Sequence, residues 1–141
     1  APRTAPLRLP ANLAASAPCQ ILLVEDNIIN QKVAQRLLNR LGYRADIAHN
    51  GTQAIDALQR RPYELVLMDL HMPEMDGIQA TRSIRRLLPA DRQPAIVAMT
   101  AAVMVEDQQA CLEAGMNAFI TKPVRTEQLL EVLQSFCPGR A

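Results

Sequence analysis

Tryptophan is absent, and with two Phe and two Tyr the aromatic share is 3%. Large rings cannot dominate such a core, and successive nucleobases would find no stacking platform, which argues against a single-stranded nucleic-acid surface. Charge of one sign is equally scarce. Fifteen Lys plus Arg against fourteen Asp plus Glu leave +1, no electrostatic footprint for DNA or an anionic membrane surface. No apolar run in the chain approaches the roughly 18 residues that a membrane span needs. Cys19, Cys111 and Cys137 are too few and too scattered for a disulfide framework and lack the CxxC spacing of a zinc or redox site. A reducing, cytoplasmic setting is therefore expected. Neither G-x-G-x-x-G nor G-x-x-x-x-G-K-[ST] occurs, so a Rossmann or P-loop nucleotide site is poorly supported.

What is present is an ordinary globular composition, 49% hydrophobic and 21% charged over 141 residues, enough for one domain. Residues 1–18 carry Pro2, Pro6, Pro10 and Pro18 among alanines and read as a flexible linker. Pro6 and Pro10 also interrupt any signal-peptide-like run there. The first residue is Ala, consistent with Met removal or with a piece of a longer protein. The folded domain is expected over 19–137, with 138–141 as a tail.

Within that body, short apolar runs alternate with segments of helical period. Ile21–Val24 reads as a strand, followed by a helix with Ala34, Leu37, Leu38 and Leu41 on one face and Gly42 at its C-terminal end. Arg44–Ala48 is a weaker strand, and Asn50-Gly51 opens a helix with Ala54, Ile55 and Leu58 inward, ending near Arg61-Pro62. Glu64–Met68 is apolar enough to be buried on both faces. Further helices are expected at about Gly77–Leu88, Val105–Ala114 and Arg125–Phe136, with strands Ala95–Met99 and Ala118–Ile120 between them. Such alternation builds right-handed βαβ units around a parallel sheet, an α/β fold whose ligands bind beyond the carboxyl ends of the strands.

Those ends carry the chemistry. Glu25-Asp26 follow the first strand, Asp69 the third, Thr100 the fourth, and Lys122-Pro123 follow Thr121 after the fifth. Carboxylates gathered in one cleft repel one another, by about 4 kcal/mol per pair at 4 Å and an effective dielectric near 20, so a cation is required. Oxygen donors without His or Cys suit Mg²⁺, and Lys122 adds a second positive charge. An aspartate so placed can act as nucleophile in phosphoryl transfer.

The runs Val24-Glu25-Asp26-Asn27, Met68-Asp69-Leu70-His71-Met72-Pro73-Glu74-Met75-Asp76-Gly77, Met99-Thr100-Ala101 and Phe119-Ile120-Thr121-Lys122-Pro123 resemble the receiver domains of two-component response regulators, over residues 19–137. The resemblance implies a single doubly wound (βα)5, flavodoxin-like or CheY-like domain with sheet order 2-1-3-4-5. It implies that Asp69 is the phosphoacceptor. Mg²⁺, for which Mn²⁺ could substitute, would be held by Glu25, Asp26, Asp69 and the backbone carbonyl of His71. Thr100, the Ala101 amide and Lys122 would stabilise the phosphoryl group, and small Ala101 and Ala102 leave space above the acceptor. Thr100 and Phe119 would form the switch, and Lys122-Pro123 is a candidate cis peptide.

The Glu-Asp-Asn-x-x-Asn-Gln pattern at residues 25–31 is similar to receivers attached to hybrid sensor histidine kinases, which implies two-component signal transduction within the cytoplasmic part of a longer kinase. Such a domain catalyses its own phosphorylation and dephosphorylation and is no stand-alone enzyme. Implied partners are a histidine kinase phosphodonor and a histidine phosphotransfer protein, with no nucleic acid and no membrane contact. Asn27, Asn30 and Val33 would form the docking stripe. Two rivals remain open: an interaction module of this fold that signals without phosphorylation, and an aspartyl-phosphate hydrolase. The latter is disfavoured because Asp69-Leu70-His71 lacks the D-x-D spacing of that class.

Overall fold

The computed structural model describes residues 19–72, 75–101 and 105–136. The expected linker 1–18, Ala102, Cys137 and the tail 138–141 lie outside the described residues. Among the described residues, five strands, β1 (Ile21–Val24), β2 (Ala45–Ala48), β3 (Leu65–Asp69), β4 (Ala95–Thr100) and β5 (Ala118–Thr121), alternate with five helices. These are α1 (Ile28–Arg40), α2 (Gly51–Arg60), α3 (Gly77–Leu87), α4 (Val105–Ala114) and α5 (Thr126–Phe136), with a 3₁₀ turn at Ala90–Arg92. All strand pairs are parallel, in the order β2-β1-β3-β4-β5.

Side-chain alternation sorts the core into two layers. Leu22, Val24, Val66, Met68, Ile96 and Ala98 pack on one face with Ala54 and Leu58 of α2 and Ala80 and Ile84 of α3. Ile21, Leu23, Leu65, Leu67, Val97 and Met99 pack on the other with Ala34 and Leu38 of α1 and Leu129 and Leu133 of α5. β3 is buried throughout, as its near-continuous apolarity requires of a central strand covered on both sides.

Element boundaries depart from the sequence pattern at two places that matter for function: β4 runs to Thr100 rather than Met99, and β3 is shifted by one residue. The apolar run predicts a strand over Glu64–Met68, whereas the strand covers Leu65–Asp69 and Asp69 pairs in register with Met99. Asp69 is thereby part of the ladder rather than the loop after it, because pairing with β4 continues one residue past the last apolar side chain. Cys19 differs from expectation as well. It is disulfide-bonded, while Cys111 is buried in the core layer under α2 and α3. Distance along the chain does not limit approach in space, which is why scattered cysteines can still meet.

The turns at the carboxyl rim are made by side-chain caps. Asn27 accepts from the Asn30 N–H at 3.0 Å at the start of α1, and Asn50 accepts from the Gln53 N–H at 2.8 Å at the start of α2. Asp76 and Gln79 form a reciprocal capping box on α3. Gly42 and Gly115, at φ of 90° and 108°, lie beyond the far ends of α1 and α4. At that far end Arg85 of α3 clasps the Gly115 carbonyl, with Nε at 2.9 Å and Nη2 at 2.6 Å, and reaches the Pro94 carbonyl at 2.7 Å. A cleft of about 720 Å³ lies on the same side against Gln20, Arg44, Asp46 and Arg61. Its Arg61 is already paired with Asp46 at 3.2 Å.

Gly77 couples the fold to the rim. A Cβ there would collide with the backbone oxygen of Asp69 and come within 3.0 Å of the Leu70 Cα. Gly77→Ala is therefore expected to cost about 1–3 kcal/mol by forcing backbone apart, measurable as a lower urea midpoint with unchanged slope. A midpoint equal to the wild type would show that this approach is not tight.

Candidate functional site

The turn after β1 delivers Glu25 and Asp26, the end of β3 delivers Asp69, and oxygens of these three carboxylates lie within 4.8 Å of one another. Glu25 and Asp69 are each 2% exposed, while Asp26 faces solvent. The cluster owes its position to topology, since β1 and β3 are hydrogen-bonded neighbours although their sequences are separated by a whole βα unit.

Lys122 reaches this cluster from the far side of the sheet. Its Nζ lies 3.1 Å from Glu25 Oε1 and 3.1 Å from Asp69 Oδ1. The backbone sets that reach: the Lys122 N–H donates to the Thr100 carbonyl at 2.8 Å, and the Lys122–Pro123 peptide is cis. Backbone amides hold the same two carboxylates. Asp69 Oδ1 accepts from the His71 N–H at 3.2 Å, and Glu25 Oε2 accepts from the Asn27 N–H at 3.2 Å and more weakly from Asn30 Nδ2 at 3.5 Å. Asn27 thus caps α1 with its side chain and steadies Glu25 with its amide.

Burial, followed by the charge of Asp69, raises the Glu25 carboxyl above its ordinary value, with Lys122 pulling the other way. For Lys122, burial alone would lower the ammonium. The hydrogen bond and charge of Asp69, joined by those of Glu25, outweigh it and the net shift is upward. One ammonium thus pairs with two of the three carboxylates, and the cluster keeps an excess of negative charge. Hard oxygen donors, a negative excess and one solvent-facing acid fit a small divalent cation such as Mg²⁺.

Thr100 is 2% exposed at the end of β4, in register with Thr121. Ala101 is exposed just beyond it. Phe119 is in register with Ala98 and half-buried, packed against the core layer under α2 and α3. Asn27, Asn30 and Val33 are all exposed on the first turns of α1. Between α1 and the turn after β5, a cavity of about 100 Å³ is lined by Glu25, Asn30, Val33, Met99, Lys122 and Pro123.

Three features escaped the sequence reading. Ile28 and Ile29, 60% and 71% exposed, add an apolar patch to the α1 stripe. The helical period places Ile28 three residues before Gln31, on the inward side, but the first turn stands beyond the strand ends and has no sheet beneath it. The third is Gln31, which is buried. A polar residue three before Ala34 and seven before Leu38 was the available signal.

The family model described as "Response regulator receiver domain" matches residues 21–134. A probable histidine kinase from Oryza sativa is 38% identical over 88% of this chain, and a hybrid signal transduction histidine kinase from Dictyostelium discoideum is 44% identical over 79%. The chain spans only 16% and 6% of the length of those relatives. Among solved structures, the receiver domain of a Pseudomonas aeruginosa sensor histidine kinase, with a magnesium ion coordinated in its active-site cleft, is 40% identical at a TM-score of 0.77. The match covers 86% of this chain and 98% of that one. A Saccharomyces cerevisiae receiver domain, in complex with a histidine phosphotransfer protein, matches at 28% identity and a TM-score of 0.79 over 86% of this chain and 90% of that one.

The raised Glu25 carboxyl gives a signed expectation. A carboxyl whose folded value lies above its unfolded 4.5 contributes stability below that pH and loses it as pH rises through the folded value. Glu25→Gln, which removes the charge but keeps an acceptor for Lys122, should raise the metal-free melting temperature at neutral pH by about 2–5 °C. The gain should vanish below pH 4.5, where Glu25 is itself neutral. A glutamine variant less stable than wild type at neutral pH would contradict the sign.

Proposed function

The chain belongs to the response regulator receiver domain family, and from that membership we propose that Asp69 accepts a phosphoryl group from a phosphohistidine. The observation that carries the reading is the three-carboxylate cluster within 4.8 Å, bridged by a lysine 3.1 Å from two of its members. In the transfer, an Asp69 carboxylate oxygen bonds to phosphorus as the phosphorus–nitrogen bond of the donor breaks, and the electron pair leaves on the imidazole nitrogen. Asp69 is held for this by the β3–β4 ladder behind it and the His71 amide beside it.

Glu25, Asp26, Asp69 and the His71 carbonyl would hold Mg²⁺. Bound there, the ion supplies charge neutralisation for the transferring group. Lys122 gives the phosphoryl oxygens an ammonium partner, with the Thr100 hydroxyl and the Ala101 amide as further donors. Phosphorylation adds about −1.5 to −2 charges at the strand ends. Thr100 is drawn toward that charge and Phe119, one strand over, turns into the space released, which shifts a population between two states.

The donor and the next phosphotransfer protein dock on the first turns of α1. Ile28, Ile29 and Val33 are exposed there, Val33 lining the cavity beside Lys122, and a solved relative is a complex of a receiver with a histidine phosphotransfer protein. The chain is read as the receiver segment of a hybrid histidine kinase, because relatives carrying that description match it over a small part of their length.

Incubation with a small acyl-phosphate donor and Mg²⁺ is expected to add one phosphoryl mass to wild type and none to Asp69→Asn. Equal labelling of both, or of neither, would contradict the assignment. Ile29→Glu combined with Val33→Glu should slow transfer from a phosphorylated histidine phosphotransfer protein by tenfold or more while leaving small-donor labelling unchanged, since buried apolar anchors commonly carry about 2 kcal/mol of an interface. Unchanged protein-to-protein transfer would remove α1 as the docking face.

A further inference from the structure

We propose that Gln31 is a positioning residue for the acidic pair, holding the peptide that joins Glu25 to Asp26. The proposal rests on the reading of Glu25 and Asp26 as Mg²⁺ ligands. Gln31 lies on the inward side of α1 and is 5% exposed. Its Nε2 donates to the Glu25 carbonyl oxygen at 2.7 Å and contacts His49 Nδ1 at 3.0 Å. The Glu25 carbonyl belongs to the peptide plane that ends in the Asp26 nitrogen, so fixing its direction fixes the course of the backbone from one acid to the next. Asp26 is the exposed member of the cluster, and that peptide is its restraint on the N-terminal side.

The hydrogen bonds are mutually determined. The amide group of Gln31 has two hydrogens, and a carbonyl oxygen can only accept. Turning the side chain round would set its Oε1 against the Glu25 oxygen, so Nε2 must face Glu25. Its second hydrogen then points at His49 Nδ1, which must present a lone pair, and the His49 proton resides on Nε2. His49 is itself anchored, its backbone N–H donating to Gln53 Oε1 at 2.8 Å. A continuous set of bonds therefore runs from α2 through the turn after β2 to Gln31 and on to the acids after β1. Groups that orient ligands without touching the metal typically change metal affinity by 10–100-fold when removed.

The test uses the full chain with Mg²⁺ alone, binding being followed by calorimetry. Gln31→Met preserves length and burial but removes both donors. It is expected to weaken Mg²⁺ binding about tenfold. Ile84→Val, a buried change under α3 away from the acids, serves as a control for general loosening and should bind as wild type does. His49→Ala removes the backstop and should weaken binding less than Gln31→Met. The double variant should be no weaker than Gln31→Met alone, because both act on one chain of bonds.

In metal-free wild type, imidazole ¹⁵N shifts should report the Nε2–H tautomer of His49, a preference lost in Gln31→Met. This readout and His49→Ala keep the proposal testable if Gln31→Met fails to fold. Wild-type affinity in Gln31→Met, additive effects in the double variant, or an Nδ1–H tautomer would each overturn the role of Gln31 alone. Absence of Mg²⁺ binding by wild type would bring down the reading of the site together with it.

Discussion

Two carboxylates that water scarcely reaches share a single ammonium, and the rest of the rim is arranged around that shortage of positive charge. At about 4–5 Å and an effective dielectric near 20, each carboxylate pair is opposed by roughly 3–4 kcal/mol. Lys122 offsets part of this and the amides of His71 and Asn27 a little more. Burial first, and the charge of Asp69 second, hold the Glu25 carboxyl above its ordinary value. A cluster in this condition suits a small dication, whose charge would offset the excess. Negative excess next to the hydrogen-bonded Asp69 is the feature on which the proposed metal dependence, phosphoryl acceptance and switching rest.

The fold creates this by topology. A parallel sheet in the order β2-β1-β3-β4-β5 puts the carboxyl ends of β1, β3, β4 and β5 on one rim, where caps start the helices and free the preceding side chains to converge. The Gly77 approach holds the backbone after Asp69 close beneath α3, and the Arg85 clasp secures the opposite end of the sheet. Rigidity at one end and unbalanced charge at the other fit a domain whose output is a change of shape near the strand ends.

Much of this was legible in the residues. Apolar runs broken by glycines and asparagines at cap positions located every strand and helix, because local propensity and global fold agree there. The acids and Lys122 were legible because they immediately follow apolar runs, where a parallel fold places ligands. Other features depend on space rather than pattern. That Asp69 lies inside the ladder follows from pairing with Met99 and not from apolarity. Asn27 looked like a docking residue, and its amide bond to Glu25 appears only once the turn is built. Gln31 looked like an interruption of a helix face because its two partners come from different loops. Ile28 carried the core period and yet stands exposed, since no strand extends beneath it. The bridging of Cys19 was equally invisible along the chain.

The central claim, that the clustered acids form a dication site whose excess charge weakens the metal-free fold, is tested most directly by following thermal unfolding of wild type during a Mg²⁺ titration. A ligand held only by the native state stabilises it by about 2.7 kcal/mol at a hundredfold excess over its dissociation constant. The account predicts a melting temperature that climbs with Mg²⁺ at neutral pH and stays flat in a variant lacking Asp26 and Asp69 carboxylates. A wild-type melting temperature indifferent to the ion, or equal gains in both proteins, would contradict it.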